Sequence, residues 1–315
     1  MGLMRRIRGP APGQVPDWAV FLTASEYKRF RQLVDEWLRA HSRGFREAGG
    51  GGIDIDLGAE KPHMIGLVNL AQKCNLTPAE DWPVLIAAHL DSLLNTDAID
   101  PDPPFESVKS VLKVRIYPED FAAGLPTGEL MLVTRPLAPG LLAALAIDYP
   151  RTVATVPPDT AAGWGIPIDE LFEIGLANVR EQDRPGVQRQ PLDGGARISL
   201  LIGDSFFTAT WVLMLDEFLT PSTPHGALVA VPNRHVVIFA PIVDLSIVEG
   251  IQAVMSRAVQ MYRDGPGPIS PAIYWRRGDS LILLPTRYED ETAFFEPPAE
   301  FIDVLNQLHK PSPTS

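Results

Sequence analysis

Two Val- and Ile-rich runs, "ALVAV" (227–231) and "HVVIF" (235–239), stand only three residues apart. A parallel crossover needs a dozen or more residues, so runs this close read as antiparallel neighbours. Short turns also separate the apolar run at 141–148 from "TVATV", and the runs at 271–275 and 280–284. Helical segments fall between these strands without regular alternation. That order predicts an α+β fold, with mixed or antiparallel sheets, packed helices and two α/β halves.

The helical segments carry their own signals. Thr23 and Glu26 in "TASE" form a capping box that opens a helix from Ser25 to Arg43, with Phe30, Leu33, Val34, Trp37 and Leu38 on one face. A second box, Thr77 to Glu80, predicts a helix through Leu94, on which His89 shares an apolar stripe with Trp82, Leu85, Ile86 and Leu93. "IDIDL" alternates as a half-buried strand, and "VLKVRIY" (111–117) reads as another. "IPIDELFEIGLANVR" reads as a helix with a proline in its first turn, 181–195 as a surface loop, 197–202 as a strand and 205–219 as a buried helix. Further helices are expected near 244–263 and 298–308.

The divisions expected are a flexible basic tail (1–16), an N-terminal α+β region (17–135), a C-terminal α+β domain (136–310) and a short tail (311–315). The first linker-like stretch is "DAIDPDPP" (97–104).

The 315 residues carry a net charge of -12, which speaks against a general nucleic-acid binder. The best apolar run, near 198–215, is broken by Asp204, so no membrane span is expected. Arg5, Arg6 and Arg8 are followed by no apolar core, so the N-terminus does not read as a secretory signal. One cysteine, Cys74, suits a reducing cytoplasm and a structural thiol. Arg outnumbers Lys 21 to 6, which points to a GC-rich bacterial genome.

"LLIGDSFF" places Gly-Asp-Ser after an apolar run, as in the nucleophile turn of a GDSL-type esterase. Such an enzyme needs an Asp three residues before a later histidine. Only His225, His235 and His309 follow Ser205, preceded at that spacing by Ser222, Pro232 and Asn306. The G-x-S-x-G form fails at Phe207. A helix start leaves amides to be satisfied, so Asp204 or Ser205 reads better as an N-cap. In "VPNRH", Asn233 and Arg234 suit a hairpin turn, Arg234 offers a fork for an anion and His235 could act as a base. The plainer reading of that turn is an exposed one with a surface ion pair. Asp204, Ser205, Asn233, Arg234 and His235 are the polar constellation offered. Asp54 and Asp56 share a strand face, which fits a solvated surface better than a metal site, and His63 adds no ligand spacing. No Walker A, G-x-G-x-x-G, H-E-x-x-H or C-x-x-C motif occurs, so neither a cofactor nor a metal is expected.

Three stretches together resemble the YtpQ-like bacterial family of unknown function. They are 141–180, with Asp148, Pro150, Trp164, Gly165, Glu170, Leu171, Ala177 and Asn178; "GDSFFTATWVLML" (203–215); and "GALVAVPNRHVVIF" (226–239), with Val231, Pro232 and Arg234. The resemblance implies an α+β cytoplasmic protein and makes "LLAALAID" a strand, against its helical composition. It places Asp204 and Arg234 at recurring positions without a role.

The functional expectation is a non-catalytic module that binds a protein partner or a small anionic ligand. The alternative is a hydrolase or transferase using Ser205 and His235.

Overall fold

Thr23 Oγ1 accepts from Glu26 N at 3.3 Å, and Glu26 Oε2 accepts from Thr23 N at 2.8 Å, which closes the expected capping box. It starts α1 (Ala24–His41), whose Phe30, Val34, Trp37 and Leu38 are buried. The computed structural model describes residues 15–58, 63–94, 100, 102–124, 132–150, 152–192, 195–219, 223–289 and 292–309. Residues 1–14 and 310–315, and with them nearly all of both expected tails, lie outside the described residues.

The chain divides into two units, residues 1–99 with 264–266, and residues 100–263 with 267–315. The division falls inside the Pro- and Asp-rich stretch at 97–104, and not at 135. The physical reason is strand pairing: β4 (Leu112–Pro118) is hydrogen-bonded along its full length to β6 (Leu141–Asp148), so it belongs to the C-terminal unit.

In the first unit, α1 is followed by an antiparallel sheet of β1 (Gly44–Gly49), β2 (Gly52–Asp56) and β3 (His63–Gly66), then by α2 (Val68–Asn75) and α3 (Trp82–Leu94). Alternation along β2 buries Ile53 and Ile55 and turns Asp54 and Asp56 outward. Both carboxylates are occupied within the unit. Arg46 lies opposite Asp54 on β1 and donates to it at 2.9 Å, and Asp56 accepts from Gly58 N at 2.8 Å. The second capping box does not form. Thr77 Oγ1 donates backwards to the Lys73 carbonyl at 2.8 Å, closing the end of α2, and Pro78 heads the next turn without a side-chain cap. His89 is half-buried, not a core residue. Cys74 is buried, and burial pushes its thiol up to about 12.

The second unit is built on a six-stranded antiparallel sheet of order β13-β12-β10-β11-β9-β8. Its strands are β8 (Gly186–Pro191), β9 (Arg197–Ile202), β10 (Ala227–Asn233), β11 (Val236–Pro241), β12 (Ile273–Arg277) and β13 (Ser280–Leu284). β8 occupies part of the expected surface loop; it pairs with β9 as an edge strand, and Pro191 sits at its end, where a missing amide costs least. Leu228, Ala230, Ile238 and Trp275 face α7 (Ile247–Asp264) and α8 (Ala299–His309), in a core with Ile251, Val254 and Phe301. Ala227, Val229, Val237 and Phe239 point the opposite way, into a core shared with β4 and β6. Both faces are covered, which is why these strands read as near-continuous apolar runs. β6 is a strand, buried along all but its last residue, and lies between β4 and β5 (Thr134–Ala138), with β7 (Val153–Thr155) continuing its far end. The short helices α4 (Phe105–Val108) and α5 (Pro158–Gly163) precede β4 and follow β7, and α6 (Ile168–Gln182) packs on β4. Among the described residues no helix is long and apolar enough to cross a membrane.

Candidate functional site

The segment after β9 is buried as expected, but it is not one α-helix. Thr208–Glu217 winds as a 3-10 helix broken at Met214. Its entry explains the Gly-Asp-Ser turn. A Cβ on Gly203 would stand 2.6 Å from Thr208 Oγ1, so the glycine is set by close packing. Ser205 Oγ accepts from Phe207 N at 3.0 Å and donates to Asp183 Oδ1 at 2.6 Å. The Ser205 carbonyl accepts from Thr208 N and Oγ1. Ser205 thus holds the turn, in the manner of a cap. Asp204 is exposed.

Asp183 ends α6 and joins a second group. Lys113 on β4, only 4% exposed at its side chain, lies 2.8 Å from Asp183 Oδ2 and 2.8 Å from Asp148 Oδ2, with its ammonium over the Phe207 ring. Burial pulls this ammonium down, but the hydrogen bonds and charges of Asp148 and Asp183 outweigh burial and leave it raised. Trp211 Nε1 donates to the Asp183 carbonyl at 2.8 Å. Lys113, Asp148, Asp183 and Ser205 therefore form one buried polar network that fixes the end of α6, β4 and the Ser205 turn together.

The turn between β10 and β11 is Arg234-His235, since Asn233 pairs with Val236. It is not an exposed turn. Asn233 and Arg234 are buried, and the neighbouring backbone satisfies the turn: Arg234 N donates to Gly267 O at 3.0 Å, Ala209 N to Arg234 O at 3.1 Å, and Gly203 N to His235 O at 3.2 Å. Asn233 is a brace, with Oδ1 accepting from His235 N at 3.0 Å and Nδ2 donating to Met261 O at 2.9 Å. Pro232 lies in a central strand, where the ladder to β12 has ended at Ala230 and the register to β11 shifts, so its missing amide breaks no ladder bond there.

His235 Nδ1 lies 3.1 Å from the Gly203 carbonyl, and Nε2 accepts from Arg234 Nε at 3.0 Å. A carbonyl can only accept, so Nδ1 carries the proton and the ring is neutral in this arrangement. Ser205 and His235 are not hydrogen-bonded to each other; the Ser205 hydroxyl is engaged by Asp183 and Phe207 N.

Arg234 has a different setting. Its guanidinium carbon lies 4.2 Å from the centroid of Phe206, and that of Arg115 lies 5.7 Å from the same centroid and 4.6 Å from that of Tyr117. Burial, and then the charge of Arg115, lower Arg234 to about 10, so it remains a cation at neutral pH. Among the described residues neither guanidinium has a carboxylate within ion-pair distance, and the buried Arg115 Nε has no hydrogen-bond partner. Gly267, at φ +69°, lies against the Arg234 stem; a Cβ there would stand 2.7 Å from Arg234 Cδ.

Of the expected constellation, the fold brings Arg234, His235 and Asn233 together and ties Ser205 into a separate network. Lys113, Arg115, Tyr117, Asp148, Asp183 and Phe206 were missed as candidates. One signal was present: alternation in "KVRIY" puts Lys113, Arg115 and Tyr117 on one face of a strand whose other face is apolar. Among the described residues no group of three or more His, Cys, Asp or Glu side chains could hold a metal. Comparison with protein-family models, curated proteins and solved structures finds no match to this chain.

Proposed function

We propose that the chain is a non-catalytic binding module that holds a small anionic group at Arg115 and Arg234. The observation carrying this reading is that two guanidiniums pack against Phe206 with no described carboxylate beside either. A buried cation without a counter-charge is costly, and arginine does not escape by losing its proton at neutral pH. Aromatic faces and the bond to His235 repay part of that cost, and an anion repays more. Membership of the YtpQ-like family and residence in a bacterial cytoplasm belong to the same proposal. The sequence stretches quoted for that family and the single buried thiol support them.

The test is thermal unfolding at fixed low ionic strength with a panel of small anions. A ligand at 100 times its Kd adds about 2.7 kcal/mol. A saturable rise in Tm is expected for the wild type and is lost when Arg115 and Arg234 are both replaced by Met. A panel without effect removes the reading. Turnover of a generic ester that disappears in Ser205→Ala would replace it with the hydrolase alternative.

A further inference from the structure

We infer that the group held at Arg115 and Arg234 is a tetrahedral dianion, a phosphate monoester or its inorganic equivalent, and not a carboxylate. This rests on the anion-site reading above.

The first argument is charge. Lys113 and Arg115 are two apart on the same face of β4, and they are treated differently. Lys113 meets two carboxylates, Asp148 and Asp183, within 2.8 Å. Arg115 and Arg234 meet none among the described residues, so the site carries two formal positive charges. A monoanion leaves one of them uncompensated, beside a buried Arg234 and a half-buried Arg115, whereas a dianion matches both. Among the described residues, the titratable groups placed against the pair are Tyr117 and His235. Burial, opposed by Arg115 and Arg234, raises the Tyr117 phenol, so it is neutral. His235 is neutral while Nε2 accepts from Arg234.

The second argument is donor geometry. Arg234 spends its Nε on His235, which fixes the plane of the guanidinium. Arg115 keeps a buried Nε–H without a hydrogen-bond partner among the described residues. Two planar forks held against one ring, at 4.2 and 5.7 Å, offer more donors than a carboxylate can accept. That suits the several oxygens of a tetrahedral oxyanion better than the single plane of a carboxylate. Phe206 and Tyr117 lie against the guanidiniums, and Phe121 stacks on Tyr117 at 4.1 Å.

The experiment is calorimetric titration of the full chain with sulfate, inorganic phosphate, glycerol phosphate and acetate, at constant ionic strength, at pH 8 and pH 5. Sulfate and both phosphates are expected to bind at pH 8 at least tenfold more tightly than acetate. Glycerol phosphate should weaken at least fivefold at pH 5, where its second proton returns (pKa about 6), while sulfate, dianionic throughout, controls for changes in the protein. Arg115→Lys and Arg234→Lys keep the charge and lose the fork, and each should weaken sulfate binding at least fivefold in a protein with wild-type circular dichroism. Glycerol phosphate binding more tightly than inorganic phosphate assigns an organic ester, and the reverse assigns the free ion. Acetate equal to sulfate overturns the dianion but leaves an anion site. No binding by any of the four, or binding unaffected by both substitutions, overturns the anion site itself.

Discussion

The Nε2 lone pair of His235 is occupied by the Nε–H of Arg234 at 3.0 Å, while the Ser205 hydroxyl is given to Asp183 at 2.6 Å. A serine nucleophile needs its proton taken by a base within hydrogen-bond reach, and here the two residues are committed to different partners. Ser205→Ala is therefore expected to cost about 1–3 kcal/mol in urea unfolding, because Asp183 loses a charge-assisted bond. Labelling of Ser205 by a serine-directed fluorophosphonate would contradict this assignment.

Lys113 should be among the most sensitive polar positions. Removing one partner of a buried pair leaves the others uncompensated, so Lys113→Met is expected to destabilise by about 3 kcal/mol. Adding Asp183→Asn should return part of the loss in a double-mutant cycle. The ammonium is raised in the folded state, so its contribution is complete below the unfolded value of 10.5 and fades as pH rises through the folded value. A cycle that shows no coupling would remove the network.

Arg234→Met should behave unlike an ordinary buried substitution. Lowering Arg234 to about 10, by burial and then by the charge of Arg115, corresponds to a cost of about 3 kcal/mol at neutral pH. Cation–π contact and one hydrogen bond offset part of this. In buffer without multivalent anions the variant is expected to be as stable as wild type or more so, and to have lost its response to anions. The sign has a pH counterpart. The unfolded chain binds more protons once pH passes about 10, so the wild type should gain stability from this group as pH rises above that value. A loss of more than about 2 kcal/mol in Arg234→Met at pH 7 would show the arginine to be purely structural.

Gly267→Ala tests the seating of Arg234 from the other side. The added Cβ would stand 2.7 Å from Arg234 Cδ, and the backbone is left-handed there, so the stem must shift. A stability loss of about 1 kcal/mol is expected, with a larger proportional loss of anion response. Unchanged anion binding would mean that the stem position is immaterial.

Cys74 should be chemically silent in the native protein. Its thiol is pushed up to about 12 by burial, so no thiolate is present at pH 8. Alkylation at that pH is expected only in step with unfolding, which makes Cys74 a reporter of the first unit. Rapid native labelling would show that the unit opens locally.

Local periodicity and capping chemistry were enough for much of the fold. The box at Thr23, the alternation of "IDID", the hairpin of β10 and β11, and the burial of 205–219 are all written in short windows of sequence, because each depends on neighbours within a few residues. Readings failed where the deciding partner lay beyond such a window, and one failed within it. Thr77 Oγ1 turned back to the Lys73 carbonyl at the end of α2, which also accepts from Leu76 N. The edge strand β8 exists through its ladder to β9 and has no apolar alternation of its own. β4 joined the second unit because β6, more than twenty residues on, supplies its hydrogen bonds.

The candidate site divides the same way. Residue types and their spacing mark what is chemically equipped: an arginine and histidine in a tight turn, a serine after Gly-Asp, and a strand face carrying Lys113, Arg115 and Tyr117. Which of the cations are compensated follows from the fold. Asp148 and Asp183 reach Lys113 from β6 and the end of α6, whereas the packing of Arg115 and Arg234 on Phe206 brings no described carboxylate with it. Charge compensation is a property of distances in space, and separations of 35 residues for Lys113–Asp148 and 119 for Arg115–Arg234 place those distances beyond what periodicity along the chain encodes.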